Sequence, residues 1–418
     1  MRTINIIRNR RFILVTLSII LQFTLAGFLG HHYDMGIFFT VGYAVSNGNS
    51  PYGIFPASMI FDNPAFFEEL PGIGYPPPWA LYLGLVYSLI YQTTKNIFVY
   101  NLAIKLPIIL SNIGLAFIVE RLAFTQNIRR ETCNKIFYFL LFNPFIIYIS
   151  AIWGQFDSLV ILTTIFALNK LYDRNLFSSA FFLGLSSSLK ILPLVLLPMF
   201  IIFIKRNYDL KSNLKFITIF FSVLMLLAYF PFLIFNWDTS IIFNNADFHF
   251  IRAGGFTLFN IFDLLYDQTF LFENLEALGY LWIPALLLTI FLLHRTRLDN
   301  YMDLIRWTSS LFFVLMLTRS WVSEQNIVLL IPLVLLTAVS NNNWSMAHFV
   351  WVMPLLFSFV NTSPFQMFFL ISSKPFEFIK EFDISYRIPR LMLKFILAIF
   401  WQIIGWIYVI RTFTVRLK

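Results

Sequence analysis

The sequence predicts an all-α polytopic membrane protein, and three observations support this fold class. The chain is 59% hydrophobic and 12% charged, whereas soluble domains are about 45–50% apolar and about 25% charged. Apolar segments recur along its whole length, and basic residues gather in the short loops between them, as in multi-pass proteins. We expect about 12 to 14 transmembrane helices in one integral domain, 1–418.

The composition also excludes several classes of protein. The net charge is +9, but nucleic-acid binding needs a basic patch on a solvated surface, and here the bases lie beside apolar runs. We therefore expect membrane lipid as a partner and no nucleic acid. Cys133 is the one cysteine, so an internal disulfide and a cysteine metal cluster are both excluded.

The first apolar segment runs from Phe12 to Gly30 and follows Arg2, Arg8, Arg10 and Arg11. It is long for the core of a signal peptide, and no cleavage pattern of small residues follows it. We interpret it as a retained transmembrane helix whose N-terminus is cytoplasmic.

The later segments set the predicted topology. They span 79–91, 97–121, 135–150, 158–171, 177–189, 191–204, 216–235, 280–293, 304–318, 327–339, 346–360 and 391–410. A cytoplasmic C-terminus places the basic loops 122–134, 172–176, 205–215 and 294–303 inside, as the positive-inside rule requires. The outer face then receives 31–78, 153–157, 236–279, 320–326 and 361–390. The compact loops favour the plasma membrane of a prokaryote over the endoplasmic reticulum.

One stretch does not fit a simple alternation. Between residues 79 and 121 the topology needs an odd number of crossings, yet two apolar segments are visible. Either one segment is re-entrant, or Pro107 divides the second into two pieces. Several segments are also shorter than the hydrocarbon core, which is tolerated where protein or a water-filled cavity covers the helix ends. We therefore expect 157–204 to line an internal site.

The opening loop, 31–78, contains the candidate catalytic residue Asp34. If a helix runs from Met35 to Asn47, then Phe38, Val41 and Val45 form an apolar stripe, and the helix is amphipathic and lies along the membrane surface. Asp34 then has two possible roles. It caps that helix, or it is a general base that takes a proton from an acceptor hydroxyl.

A second polar group lies in the turn Trp153-Gly154-Gln155-Phe156-Asp157-Ser158. The simpler interpretation makes Asp157 a helix cap and Trp153 an anchor at the membrane interface. Polar residues grouped at such a depth more often mark a functional site, so Gln155 and Asp157 are candidates for substrate binding.

Three basic residues on the predicted outer side are candidates for binding a phosphate: Lys190, Arg252 and Arg319. The alternative for Lys190 is that it extends its ammonium group to the membrane surface. Glu324 and Gln325, followed by Asn326, form a further outer polar turn that either contributes to the same site or caps the next helix.

Signatures of soluble enzymes are missing from the sequence: there is no phosphate-loop glycine pattern, no HExxH and no GxSxG. His31 and His32 are adjacent, so on a helix their side chains diverge and make a poor metal pair. We expect neither a metal nor a cofactor.

These residues resemble the pattern of polytopic GT-C glycosyltransferases, and in particular the GPI mannosyltransferase I family and its prokaryotic relatives. The resemblance covers roughly 30–200, with support from Ser323-Glu324-Gln325. The residues that carry it are Asp34, Gly48, Ser50-Pro51-Tyr52, Tyr75-Pro76-Pro77, Asn143-Pro144, the Trp153 to Ser158 turn, Gly184, Lys190 and Pro193. Eukaryotic members have a second acid near the first, which this chain lacks.

The resemblance implies an inverting transferase that moves a sugar, mannose in the closest families, from a polyprenyl (dolichyl) phosphate carrier to a glycan or glycolipid acceptor. It implies that Asp34 is the catalytic base and that the basic residues lie near the carrier phosphate. A multi-span transporter or lipid flippase is the alternative, and a non-catalytic scaffold of glycan assembly is a third.

Overall fold

The structure is a computed structural model that describes residues 2–60, 68–241, 250–296, 298, 300–341, 343–372, 378, 381–382 and 384–414, and only the backbone of 2–10. Parts of the predicted loops at 61–67 and 242–249 lie outside the described residues. Three basic residues on the predicted cytoplasmic side, Arg297, Arg416 and Lys418, also lie outside the described residues.

The protein is an all-α membrane protein. The helices are α1 Arg2–Phe28, α2 His32–Ser46, α3 Pro77–Val86, α4 Gln92–Thr94, α5 Ile97–Thr125, α6 Arg130–Leu141, α7 Pro144–Ile147, α8 Asp157–Tyr172, α9 Leu176–Leu189, α10 Leu197–Asn207, α11 Leu210–Leu224, α12 Phe230–Ile234, α13 Ile261–Tyr266, α14 Trp282–Arg295, α15 Tyr301–Thr318, α16 Ile331–Ser340, α17 Trp344–Asn361 and α18 Arg387–Thr414. Two short strand pairs join them: β1 Ile54–Pro56 is antiparallel to β2 Glu69–Pro71, and β3 Gly254–Gly255 is parallel to β4 Trp321–Val322.

Within the described part of the chain, seven helices are long and apolar enough to cross a membrane. They are Arg11–Phe28, Ile97–Thr125, Arg130–Trp153, Leu210–Ile234, Glu273–Arg295, Trp344–Asn361 and Arg387–Thr414, some of which include an adjoining 3-10 or π turn. Shorter apolar helices at Leu176–Leu189 and Ile331–Ser340 add to them. The protein is therefore multi-pass, and the expected total of about 12 to 14 spans stays a prediction.

The chain divides into two compact units. Unit 1 comprises Met1–Ile73, Ala80–Leu162 and Pro364–Ile379, and unit 2 comprises Gly74–Trp79, Thr163–Ser363 and Lys380–Lys418. The single integral domain expected from the sequence stays a prediction, as does the assignment of 31–78 as its catalytic loop.

Polar contacts at three levels hold α1 antiparallel to α5 in unit 1. At one end Asn101 donates to the carbonyl oxygens of Ala26 and Gly27, at 2.7 and 3.2 Å. In the middle Asn112 donates to Gln22 Oε1 at 2.7 Å, and at the other end Arg11 binds Glu120. Buried polar groups need such partners in an apolar setting, so these contacts fix the register of the two helices.

The structure removes one of the two explanations for 79–121. Pro107 lies inside the continuous helix α5, so the proposed division there is wrong. Tyr82 donates to the carbonyl oxygen of Ala103 at 2.7 Å, and the ring of Tyr91 lies 5.1 Å from that of Tyr100. Both ends of the 82–91 segment thus contact the first turns of α5, and the alternative that this segment is re-entrant stays a prediction.

Helix α2 differs from the prediction. It begins at His32, and its buried residues occupy nearly the whole circumference: Met35, Gly36, Ile37, Phe38, Phe39, Thr40, Val41, Gly42 and Ala44. A surface helix with one apolar stripe was therefore the wrong expectation. The predicted end at Asn47-Gly48 is confirmed, because Asn47 caps the helix and Gly48 has a φ of +80°.

Unit 2 is built around α15, which is buried along most of its length. At one end of it, β4 pairs with β3, and the backbone N–H of Gly254 donates to the carbonyl oxygen of Ser320 at 3.0 Å. Gly255 has a φ of +61°, and a Cβ there would overlap the carbonyl oxygen of Val322. Glycine is therefore required where the two strands approach.

The contacts within unit 2 agree with the predicted sides of the loops. In unit 2 the segments predicted outside meet one another, as when Asn361 donates to Glu324 Oε1 at 3.0 Å. Those predicted inside also meet, since Arg206 donates to the carbonyl oxygen of Thr296 at 2.5 Å. Which side is cytoplasmic stays a prediction.

Candidate functional site

The Asp34 carboxylate lies in unit 1, where the turn after α7 reaches the start of α2. Its Oδ2 accepts a hydrogen bond from Trp153 Nε1 at 2.6 Å and another from Gln155 Nε2 at 2.8 Å. No described residue donates a hydrogen bond to Oδ1, and the side chain is 23% exposed. One oxygen is therefore fixed by neutral donors, while the other is available to a ligand.

His31, and not Asp34, caps helix α2. The Nδ1 atom of His31 accepts a hydrogen bond from the backbone N–H of Asp34 at 3.2 Å. The cap role considered for Asp34 is therefore wrong, because the helix starts before Asp34 and its carboxylate accepts from side chains. The ring of His31 stacks on Trp153 at 4.3 Å between centroids, which orients the indole N–H.

His31 is neutral in this arrangement. The Nδ1 atom of His31 accepts the hydrogen bond from the N–H of Asp34, so this nitrogen does not carry a proton. Burial lowers the pKa of His31 from its ordinary value of 6.5, and the nearby Asp34 carboxylate opposes that shift without cancelling it. The imidazole therefore adds no positive charge beside Asp34, although its Nδ1 is 3.5 Å from Oδ2.

The turn that presents Trp153 and Gln155 has a local cause. Asn143 caps α7 and Pro144 follows at its first position, after which the chain continues as a π-helical turn, Tyr148–Trp153. Gly154 ends that turn with a φ of +104°, and a Cβ there would overlap Met35 Sδ and crowd Lys105 Cε. Glycine is thus required between the two donors to Asp34.

The remaining candidate in this turn is Asp157, which begins α8 and is 1% exposed. Gln155 is also 1% exposed, and its side-chain amide donates to Asp34. Its expected role in binding substrate stays a prediction. Trp153 is 4% exposed within the protein, so its interpretation as an anchor in the lipid interface is wrong. The capping role of Asp157 stays a prediction.

Two predicted substrate-binding residues come together in unit 2 around Tyr75. Gln325 Nε2 donates to Tyr75 Oη at 3.2 Å, and Lys190 Nζ lies 5.4 Å from the centroid of the same ring. Lys190 follows α9 in an extended conformation and is 6% exposed. Its ammonium group therefore does not extend to a solvated surface, as the alternative interpretation required.

The other candidates in unit 2 have different surroundings. Arg252 lies over the ring of Trp321 at 3.5 Å, which is a cation–π contact. Arg319 caps the end of α15 two residues before Trp321. Glu324 accepts from Asn361, and it begins a 3-10 turn whose cap, Ser323, makes no side-chain bond.

Sequence reasoning missed Lys105 and gave His31 no role. Lys105 is fully buried and donates to three backbone carbonyl oxygens next to the Asp34 site. A signal was present, because a lysine inside an apolar segment, four residues after Asn101, is a candidate for function by default. Within the described ranges, no group of three or more His, Cys, Asp or Glu side chains could hold a metal ion.

Comparison with known proteins adds no family to this geometry. No protein-family profile matches the chain, and no curated protein matches its sequence.

Proposed function

We propose that the protein is an inverting membrane glycosyltransferase that moves a sugar, with mannose as the first candidate, from a polyprenyl-phosphate carrier to a glycan or glycolipid acceptor. The observation that carries this proposal is the contact of Asp34 with Trp153 and Gln155. Two motifs that the resemblance links to one activity, and that lie far apart in sequence, share one hydrogen-bonded carboxylate.

The chemistry asked of Asp34 is that of a general base. The acceptor hydroxyl gives its proton to the open Oδ1, the acceptor oxygen bonds to the anomeric carbon, and the bond from that carbon to the phosphate oxygen breaks. Polyprenyl phosphate leaves with the electron pair. Trp153 and Gln155 hold the carboxylate in one orientation, so that its free oxygen keeps a constant direction, and such positioning lowers the entropic cost of the reaction.

The leaving phosphate needs a cation, and the proposal assigns this role to Lys190, Arg252 and Arg319. Lys190 is the strongest of the three candidates, because it is buried against Tyr75 and an ammonium in a low-dielectric setting attracts phosphate strongly. Gln325, Asp157 and Glu324 are proposed to bind hydroxyl groups of the substrates.

The test is transfer of labelled mannose from a polyprenyl-phosphate donor by purified protein in liposomes, with and without a chelator. We expect Asp34→Asn to retain donor binding and to lose about 10²- to 10⁴-fold in rate, the usual contribution of a general base. We expect Lys190→Ala to bind the donor more weakly. Full transfer by Asp34→Asn would refute the mechanism.

A transporter or lipid flippase is the second candidate. Breaks in the helices at Phe142–Asn143 and at Lys190–Ile191 favour it, because transporters use discontinuous helices to bind substrates. The same liposomes distinguish the two functions. Movement of a labelled polyprenyl-phosphate sugar across the bilayer, without formation of a glycosylated product, would support the transporter.

A further inference from the structure

Lys105 is a buried cation with a complete set of partners. Its side chain is 0% exposed, and Nζ donates to the carbonyl oxygen of Leu29 at 2.5 Å, of Ala151 at 3.2 Å and of Ile152 at 3.0 Å. An ammonium group has three N–H donors and no acceptor. Three carbonyl oxygens therefore satisfy it fully.

The three carbonyls come from two segment ends. Leu29 directly follows α1, and Ala151 and Ile152 belong to the last turn of the π-helical segment Tyr148–Trp153. The last carbonyls of a helix have no partner within it and carry partial negative charge. A lysine between two such ends compensates both and holds one end against the other.

The segment end that Lys105 holds is the one that presents the donors to Asp34. Ile152 immediately precedes Trp153, whose indole donates to Asp34, and Gly154 packs so closely that a Cβ would meet Lys105 Cε at 2.9 Å. The α1 end leads within three residues to His31, which stacks on Trp153. One ammonium group therefore binds both the segment end that leads to His31 and the turn that carries the two donors to Asp34.

We propose that Lys105 is the positioning residue of the Asp34 site: it holds the Trp153 turn against the end of α1, so that both donors stay on Oδ2 and Oδ1 stays open. It does not contact substrate. The catalytic consequence rests on the proposed transferase function, whereas the structural claim does not.

The experiment observes the Trp153 indole N–H by NMR in protein labelled with ¹⁵N-tryptophan. The signal is assigned by its loss in Trp153→Phe, and its position without a charged acceptor is taken from Asp34→Asn. In Lys105→Gln, which keeps an amide donor but loses the charge, we expect the signal to move toward its position in Asp34→Asn. Lys105→Met is the second variant, of similar length and with no donor.

Asn101→Ala is the matched control. Asn101 lies one turn earlier on α5, is equally buried, and binds the carbonyls of Ala26, Gly27 and Leu29, but not those of Ala151 or Ile152. We expect it to lower stability and to leave the Trp153 signal unchanged. An unmoved signal in folded Lys105→Gln would overturn the proposal. So would failure of both Lys105 variants to fold while Asn101→Ala folds, since the role would then not be confined to the turn.

The transfer assay separates this inference from the proposed function. If the protein transfers sugar, Lys105→Gln is expected to lower kcat at least tenfold and to change the donor KM less than twofold, because orientation of the base is lost and donor binding is not. If no sugar is transferred by the native protein, the proposed function fails and the NMR result still decides the role of Lys105.

Discussion

Two carboxylates lie toward opposite ends of the α1–α5 pair, and their surroundings differ. Glu120 faces Arg11, which donates to Oε1 at 2.8 Å and to Oε2 at 2.5 Å, and the guanidinium also lies 4.0 Å from the centroid of the Phe137 ring. Asp34 receives two neutral N–H donors on a single oxygen. Lys105, which binds the turn that carries these donors, has its own partners in three backbone carbonyl oxygens.

The difference teaches which carboxylate can do chemistry. Both oxygens of Glu120 are occupied by a fixed cation, which suits a clamp between helices. Asp34 keeps an open oxygen, and its donors fix its direction without taking its proton-accepting position. Lys105 binds segment ends, so it stabilises the local backbone without binding the carboxylate. Asp34 can therefore be held in a fixed orientation and still keep an open oxygen.

Exchanging each carboxylate for its amide tests this contrast most strongly. We expect Asp34→Asn to lose about 10²- to 10⁴-fold in transfer rate with little change in stability, because the base is lost and the shape is kept. We expect Glu120→Gln to keep its transfer rate and to lose about 1–3 kcal/mol of stability, because Arg11 is left without its counter-ion. Rates and thermal unfolding in detergent are measured on both.

The contrast holds only if Asp34→Asn loses mainly transfer rate and Glu120→Gln loses mainly stability. A large rate loss in Glu120→Gln, at a temperature where it stays folded, would show that the clamp end is coupled to the reaction. Equal losses of stability in the two variants would show that Asp34 is a structural carboxylate.

The fold could be predicted from the sequence because apolar periodicity and charge dominate in membrane proteins. The predicted segments 158–171 and 177–189 agree with α8 and α9 to within one residue at each end. The failure at Pro107 has a physical reason: a proline inside a membrane helix is tolerated where neighbouring groups satisfy the freed backbone. Here Tyr82 donates at 2.7 Å to the carbonyl oxygen of Ala103, which Pro107 leaves without its partner in the helix.

The candidate site was predicted only as separate parts. Asp34 and Gln155 were both selected, yet nothing in the sequence pairs them, because their contact depends on how the π-helical turn ends at Gly154. Spacing also offered Asp34 as one candidate for the cap of α2, since aspartate is a common cap. A histidine that accepts through Nδ1 does not have that signature. The position of Lys105 inside an apolar segment was a signal of function, but its partners could not be predicted, because they are backbone atoms with no sequence pattern.

Removal of one donor gives a smaller expected effect. Trp153→Phe keeps an aromatic ring for the contact with His31 and removes the N–H that binds Oδ2. A hydrogen bond to a charged group contributes about 1.5–3 kcal/mol, so we expect a loss of about tenfold or more in kcat and little change in donor KM. The matched control is Trp79→Phe, whose indole is also buried but lies outside the Asp34 contacts. Equal kcat values in Trp153→Phe and Trp79→Phe would show that the indole N–H of Trp153 does not orient Asp34.

The smallest expected effect is a pH dependence of stability at the Asp34 end. Burial, and secondarily the neighbouring His31, lower the pKa of His32 from 6.5 to about 3, and burial also lowers the pKa of His31. Between about pH 6.5 and pH 3 the unfolded chain therefore binds more protons than the folded one. Stability is complete above that window and falls as the pH decreases through it, by at most about 1.4 kcal/mol per pH unit for each histidine.

Thermal unfolding in detergent at about pH 7.5, 6.5 and 5.5 measures this dependence across the ordinary histidine pKa. We expect His32→Gln to flatten the decrease, because a glutamine cannot take up the proton that the unfolded state gains. The control His348→Gln replaces an exposed histidine and should leave the slope unchanged. Equal slopes in native protein and His32→Gln would assign the pH dependence to other groups. A flattened slope would show that the folded protein requires a neutral His32, in contrast to the charged guanidinium that Glu120 requires.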